Sequence, residues 1–437
     1  MADFLRRTLC SGRRTLSGSP ALVGRPSGSG GCFLSDGTLD TAKTSWYRFQ
    51  LRASAASTAQ ERYRTVSVIE SIECIPLRVP LEHLYKGSYY QMRNRCTIIT
   101  RIRTSDGVVG EAYNADTDVE QADVLRIVRD ELAPLVIGKD ILGVERIWDA
   151  MLPITRDQLR DRAISMQAIA CVDSAVWDGV GKILNQPLWR LWGGFRDQIP
   201  MIGIGGYYGS SEADLEKEIG FFAGEHGMVG MKFKIGAKSP EEDVARLQRA
   251  KQFVGDDFLF VVDANQGYTT AEALAFLRHL EGKVQLRWFE EPTLWHRDWQ
   301  ALRDVRLRGN VNVAAGQSEI SRVGVRNLIV NGAIDVCNFD ASWGGGPSEW
   351  RRVAALAAIY DVELGHHEEA QVAAHLLASV PHGTFVEAFS PTRDPIFWNL
   401  LANRPELVNG QFPLPTGPGF GWELDEQFIS RYRSDRT

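Results

Sequence analysis

The 437-residue chain is poor in cysteine. Its six, Cys10, Cys32, Cys74, Cys96, Cys171 and Cys337, are scattered, and no two form a Cys-x-x-Cys unit. That argues against a disulfide framework or a thiolate zinc site and for free thiols in a reducing compartment. Long apolar runs are also missing. Interior stretches such as Val261-Val262 fall far short of the roughly 20 residues that a membrane-spanning helix needs, so no membrane association is expected. Excess positive charge is absent too: 49 Lys and Arg stand against 55 Asp and Glu, a net charge of −6. This disfavours a nucleic-acid or anionic-surface partner. Histidines 366, 367, 375 and 382 lie near one another in sequence, but none are spaced as His-x-x-x-His, the pattern of a helical zinc site. The one glycine cluster after an early strand, GIGGYYG (203–209), is a poor match to a dinucleotide-binding loop. What is present, 44% apolar and 24% charged residues, is ordinary for a globular chain with room for more than one domain.

The first 65 residues differ in composition from the rest. They open with Arg, Ser and Gly, and Asp3 is the only acid among the first 31. This segment reads as a disordered tail or a targeting segment, mitochondrial if the latter, on a chain otherwise expected in the cytoplasm. Regular patterning starts at Val66. VSVIESIECIPLRVPL alternates apolar and polar residues, as a half-buried strand does. NRCTIITRIRTSDGVVGEAY reads as a strand, a Ser-Asp-Gly turn and a second strand. Residues 119–191 then look largely helical, so 66–195 form an α+β domain. From 196 to 410 the rhythm is different. Eight short apolar runs, from MIGIGGYY to TFVEAF, are predicted as strands, and seven of them precede a helical stretch. Repeated βα units that close on themselves make a TIM-type (β/α)₈-like barrel, an α/β fold. An open doubly wound sheet is the competing architecture.

In such a barrel, chemistry sits at the C-terminal ends of the strands. Those ends carry Lys232 and Lys234 (second strand), Asp263 (third), Glu290 (fourth), Gln317 (fifth), Asp340 (sixth), His367 (seventh) and Glu387 (eighth). A spacing of 27 residues, one βα unit, separates Asp263 from Glu290, Glu290 from Gln317 and Asp340 from His367. Any one acid here reads equally as a helix N-cap, and Lys-Phe-Lys alone reads as two solvent-facing lysines. Their recurrence at the barrel's own period argues that they converge on one mouth. Oxygen donors from three strands suit a hard divalent cation such as Mg²⁺.

Taken together, K-F-K (232–234), V-D-A-N (262–265), F-E-E-P (289–292), A-G-Q-S-E (315–319), Asp340 before Gly344-Gly345, and H-H-E-E-A-Q-V-A-A-H-L-L (366–377) resemble the mandelate racemase group of the enolase superfamily. The resemblance runs from about Val66 to near the end of the chain. It implies an α+β capping domain on a modified TIM barrel, with residues 411–437 returning to the cap, and a homo-oligomer. It implies Mg²⁺-dependent removal of the α-proton of a carboxylic acid, a small-molecule partner. Asp263 and Glu290 would ligate the metal. The third ligand of the family is usually an acid where this chain has Gln317, so either Gln317 or Glu319 would serve. Lys232 would contact the substrate carboxylate. Lys234, made more acidic by neighbouring positive charge, and His367, oriented by Asp340, would act on opposite faces. Glu387 would donate a hydrogen bond to the enolate, and Asn265 would lie near the metal shell. A Lys or His base working with Mg²⁺ is the general pattern of this superfamily.

The segment Leu81–Arg95, read as a loop, falls where such proteins place a substrate lid. It offers His83, Tyr85, Lys86, Tyr89, Tyr90 and Arg93. If they line the site, rather than face solvent, they suit a polyhydroxylated acid better than an aromatic one. His83, Tyr89, Arg93 and Asn265 are therefore the expected substrate contacts. Three functions remain open: acid-sugar dehydration to a 2-keto-3-deoxy acid, racemisation or epimerisation of a 2-hydroxy acid, and a catalytically idle barrel.

Overall fold

The computed structural model describes residues 66–114, 118–294 and 298–435. The tail or targeting segment expected over 1–65 lies outside them. Alternation in the first patterned segment produces β1 (Ile69–Lys86), which pairs antiparallel with β2 (Gln91–Thr104). A turn at Ser105–Gly107, with Gly107 at φ 84°, leads into β3 (Val109–Asn114). β1 runs further than its sequence pattern predicts. After a register shift between Pro80 and Tyr85, Tyr85 pairs with Met92 and Lys86 with Gln91. Most of the segment expected as a loop is therefore a hairpin, with Gly87–Tyr90 at its tip.

The sheet packs on the 23-residue helix Arg162–Leu184, capped by Asp161, whose side chain accepts from Ala163 N. The approach is close because two glycines meet there. A Cβ on Gly110 would fall 2.2 Å from the Ala175 carbonyl oxygen, and Gly179 is the next contact. Asp173, in the middle of this helix, accepts from Ser348 N (2.8 Å) and Ser348 Oγ (2.7 Å) at the start of helix Pro347–Ile359.

The second sheet contains eight parallel strands: β4 (Gln198–Gly205), β5 (Gly230–Lys234), β6 (Leu259–Asp263), β7 (Leu286–Glu290), β8 (Val313–Ala315), β9 (Val336–Cys337), β10 (Glu363–Leu364) and β11 (Val386–Phe389). Neighbours follow in order from β4 to β10, and β11 returns beside β4. Just before β11, Leu364 N donates to His382 O (2.8 Å) and Thr384 N to Leu364 O (2.9 Å), which joins the two ends of the sheet. The connecting helices start where the sequence places caps: Ser211 with Asp214, Ser239 with Glu242 and Thr269 with Glu272 each form a reciprocal capping box. A short helix, Pro395–Asn399, also follows the eighth strand.

Side chains alternate across a strand. Inside the barrel this period of two puts Ile202, Val261, Trp288, Ala314, Val336 and Phe385 in one apolar cluster. Trp288 and Phe385 stack there with ring centres 4.7 Å apart. Two residues beyond Val261, Trp288 and Phe385 stand Asp263, Glu290 and Glu387. The apolar floor and the charged mouth therefore belong to the same inward faces. β12 (Gln411–Pro413) then pairs antiparallel with β4, and the chain end reaches β1, where Ser434 N donates to Pro76 O (3.0 Å). Among the described residues no helix is long and apolar enough to cross a membrane.

Candidate active site

The strand ends bring together a buried lattice of alternating charge. Lys232 Nζ donates to Glu290 Oε1 (2.8 Å) and Glu387 Oε2 (2.7 Å); Lys234 Nζ donates to Asp263 Oδ2 (2.7 Å) and Asn265 Oδ1 (3.2 Å). Both lysines, Asp263, Glu290 and Glu387 are buried. Charges in such a place persist only when paired. Burial disfavours each ammonium, but Glu290, Glu387 and Asp263 outweigh it at Lys232, and Asp263 leads the groups that outweigh it at Lys234, so both lysines are held above their ordinary pKa. The resemblance implies an acidified Lys234; its nearest partner in the structure is the Asp263 carboxylate. Asn265, at φ 42°, turns the chain so that its own N–H donates to Asp263 Oδ1 (2.8 Å).

The fifth strand end differs. Gln317 is buried; its Nε2 donates to Glu291 Oε2 (3.1 Å) and its Oε1 accepts from Asn338 Nδ2 (3.3 Å). Glu319 is only partly buried and is turned toward the next helix: a Cβ on Gly324 would clash with its carboxylate. Among the described residues, no three His, Cys, Asp or Glu side chains form a metal-binding group. The candidate donors are two carboxylates, on Asp263 and Glu290, and one carboxamide, on Gln317, whose oxygen accepts from Asn338. All are hard oxygen donors, and Asp263 and Glu290 are direct partners across adjacent strands. That set fits Mg²⁺ better than zinc.

Across the mouth, Asp340 Oδ2 lies 2.9 Å from His367 Nδ1, and Asp340 Oδ1 accepts from Ser342 N (2.7 Å). His366 is turned into the backbone: its Nε2 accepts from Ala341 N (3.0 Å) and its Nδ1 lies 2.8 Å from His367 O. Burial pulls the His375 pKa down to about 3, against a hydrogen bond with the Phe420 backbone, and its Nδ1 accepts from Trp189 N, so it is a neutral packing residue. His382 bonds the carbonyl of Ala354.

The lid residues divide. Tyr90 covers Lys234, its ring centre 5.8 Å from Nζ. Tyr89, 74% exposed, donates to Gly267 O (3.3 Å) on the loop after β6. His83 is exposed and lines a separate cavity of about 690 Å³ with Tyr85, Lys86, Tyr208 and Lys217. Arg93 is exposed on β2.

Two acids that the strand-end pattern omits belong to the same mouth. Glu291, at φ 36°, accepts from Gln317 Nε2, from Gln266 Nε2 (3.3 Å) and from Ser318 N (3.3 Å). Glu368, at φ 47°, brings its Oε1 to 3.3 Å from His367 Nε2, while its N–H donates to Glu387 Oε2 (3.2 Å). Each directly follows an expected residue, and the doubled acids of F-E-E-P and H-H-E-E were the available signal.

Residues 72–193 match the mandelate racemase / muconate lactonizing enzyme N-terminal domain family, and residues 215–428 match the enolase C-terminal domain-like family. The chain belongs to the mandelate racemase/muconate lactonizing enzyme subgroup of the enolase superfamily. Arabinonate dehydratase of Saccharolobus solfataricus is 32% identical over 349 residues, which cover 77% of this chain and 90% of that one. The 3,6-anhydro-alpha-L-galactonate cycloisomerase of Streptomyces coelicolor is 31% identical over 370 residues, 83% of this chain and 99% of that one. Among solved structures, a mandelate racemase/muconate lactonizing enzyme from a marine actinobacterium, in complex with magnesium, superposes with a TM-score of 0.79. It is 48% identical and covers 84% of this chain and 100% of that one.

Proposed function

We propose that this chain is an acid-sugar dehydratase, which removes the α-proton of a sugar acid and eliminates the β-hydroxyl to leave a 2-keto-3-deoxy acid. The observation that carries the reading is the pairing of an amine and an imidazole at one buried mouth. Lys234 ends the second barrel strand and His367, bonded to Asp340, follows the seventh. An α-proton beside a carboxylate is very weakly acidic because its removal puts a second negative charge on the same group. Help has to be aimed at that developing charge. Mg²⁺, which Asp263, Glu290 and the oxygen of Gln317 or Glu319 would hold, would supply part of it as a Lewis acid. Lys232 adds a fixed positive charge for the substrate carboxylate, and Glu387, as the carboxylic acid, offers the enolate a hydrogen bond. Lys234 is placed to take the α-proton, which requires the ammonium that Asp263 stabilises to release its own proton first. His367 gives a proton to the departing hydroxyl. Tyr89, whose hydroxyl reaches the loop after β6, and Asn265, bonded to Lys234, are the side chains proposed to meet the sugar hydroxyls; His83 and Arg93, expected from the same reading, project from strands and not from the hairpin tip. Dehydratases among the relatives support the choice of reaction, and the cycloisomerase at similar identity supports the broader class of acid-sugar chemistry.

The test is incubation with Mg²⁺ and a panel of mono- and diacid sugars in D₂O, followed by NMR and a 2-keto acid assay. A keto acid from one sugar establishes the dehydratase. Deuterium at the α-carbon without a keto acid replaces it with a racemase or epimerase. No exchange on any acid, with Mg²⁺ binding intact, replaces it with an idle barrel.

A further inference from the structure

We propose that Glu368 is a positioning residue that keeps His367 protonated in the resting site, so that His367 works as a proton donor and not as a base. The inference deepens the dehydratase reading and rests on it for the identity of the reaction. Its structural part stands on His367 alone.

The geometry is a carboxylate on each ring nitrogen: Asp340 Oδ2 at 2.9 Å from Nδ1 and Glu368 Oε1 at 3.3 Å from Nε2. A neutral imidazole has one N–H and one lone pair, so it can satisfy only one of these oxygens and must turn a lone pair on the other. An imidazolium satisfies both. The second carboxylate is not there by chance of rotamer. Glu368 and Glu369 are consecutive left-handed residues, at φ 47° and 46°, a conformation that costs energy away from glycine and needs outside support. That support is visible. Glu368 N–H is tied to Glu387. Glu369 is bonded by Arg95 Nη2 (2.9 Å) from the capping sheet and by Gln371 Nε2 (2.6 Å).

The other charged or titratable groups around the pair act in the same direction or are satisfied elsewhere. His366 accepts from Ala341 N and bonds the His367 carbonyl. Glu387 is paired with Lys232. Arg393 and Arg95 favour the ionised form of Glu368, and with His367 they outweigh its burial. Burial opposes the charge on His367, but Glu368 and Asp340 together raise its pKa well above the ordinary range. Trp343, with its ring centre 4.7 Å from that of His367, covers the pair.

The chemical consequence is a fixed division of labour. Lys234, as the free amine, bonds the α-hydrogen, and the C–H pair becomes the double bond between the α-carbon and the carboxyl carbon. That pair then shifts to join the α- and β-carbons as the β C–O bond breaks; the C–O pair leaves with the hydroxyl, which takes the Nε2 proton of His367 and departs as water. The resulting enol takes a proton from solvent at C3 and releases the proton of its 2-hydroxyl to become the 2-keto acid. The proton gained by Lys234 replaces the one lost by His367 through solvent, so the cycle consumes nothing besides substrate. A racemase needs a histidine that accepts a proton in one direction, and a carboxylate on Nε2 opposes that.

The experiment reads the charge of His367 directly, by ¹⁵N NMR of histidine-labelled full-length protein, with the signal assigned by its loss in His367→Asn. In the wild type we expect both ring nitrogens protonated at pH 7. In Glu368→Gln, which keeps the side-chain size, the proton affinity of His367 should fall by about ten- to a hundredfold, the usual effect of removing one close opposite charge. Glu368→Asp should restore part of it. A role confined to folding predicts an unchanged titration in both variants. A neutral His367 in the wild type at pH 7, or a Glu368→Gln titration like that of the wild type, overturns the inference. The two readings fail separately. A protonated His367 that depends on Glu368, in a protein that dehydrates no acid sugar, sinks only the dehydratase; dehydration with an unaltered titration in Glu368→Gln sinks only the role of Glu368.

Discussion

Asp263 and Glu290 face each other across the β6–β7 ladder, and each is neutralised by a different lysine of β5: Asp263 by Lys234, Glu290 by Lys232. The two pairs are not equivalent. Lys232 has a second carboxylate, Glu387, at 2.7 Å, whereas among the described residues the one carboxylate bonded to Lys234 is Asp263. Glu290→Gln should therefore leave the fold near wild-type stability. It should remove the rise in melting temperature that accompanies Mg²⁺ binding, a stabilisation of about 2.7 kcal/mol at a hundredfold excess over Kd. Asp263→Asn should remove the same rise and also lower stability by about 3–5 kcal/mol, since it strands a buried ammonium. Thermal melts in EDTA and in Mg²⁺ check both.

Gln317 offers a contrasting prediction. A carboxylate at this position would face Glu291 Oε2, which now accepts from the Gln317 amide at 3.1 Å. Gln317→Glu should therefore be less stable than wild type in EDTA, by about 1–3 kcal/mol for the lost buried hydrogen bond and the new repulsion. In Mg²⁺ the order should narrow or reverse, because a third anionic donor strengthens the site. Equal melting of the two proteins in EDTA would remove Gln317 from contact with Glu291. Calorimetric titration of Mg²⁺ gives the affinity arm of the same test.

The hairpin tip gives a prediction about turnover. A Cβ on Gly87 would fall 2.2 Å from the Tyr90 ring, and Gly87 does not need a left-handed backbone. Gly87→Ala should therefore shift Tyr90 off Lys234 while leaving the sheet register intact. We expect kcat/KM to fall by about tenfold or more, in line with the cost of small misplacements at reacting groups. Stability should stay within about 1 kcal/mol. Unchanged kinetics would show that Tyr90 plays no part in closing the mouth.

The strand-end residues were legible because a strand alternates with period two and a βα unit repeats with its own period. Asp263 lies two residues beyond Val261, and Glu290 two beyond Trp288, on the same inward faces. Glu291 and Glu368 were not legible for the complementary reason. Each sits one residue past an expected position, where the backbone has left the strand for a left-handed turn and the period no longer says which way a side chain points. The hairpin was hidden in a similar way. Gly87 and Ser88 read as a loop, but pairing resumes after the register shift and carries β1 on to Lys86. His83 and Arg93, named from the same segment, therefore project from strands and not from the tip that meets the barrel.

Asp173 supports a last prediction, about pH. It is buried in helix Arg162–Leu184, bonded to Ser348 N and Oγ, and pressed against Gly346, whose Cβ would lie 2.4 Å away. Burial pushes its pKa up to about 7, the Ser348 hydrogen bonds notwithstanding. In the unfolded chain the same carboxyl titrates near 4. A pKa raised by folding means that the fold binds the proton more tightly. Its stabilising contribution is complete below about pH 4 and is lost as the pH rises through 7. Asn at this position has no proton to lose and keeps an oxygen for Ser348 N. Asp173→Asn should therefore gain on the wild type steadily between pH 4 and 7. The gain is at most about 1.4 kcal/mol for every tenfold by which the folded carboxyl holds its proton more tightly than the unfolded one. Above pH 8 the advantage should level off. Denaturant melts of both proteins at pH 5, 6, 7 and 8 measure that slope. A constant difference across the series would mean that Asp173 titrates as it does in the unfolded chain, and that Ser348 alone holds this contact between helices.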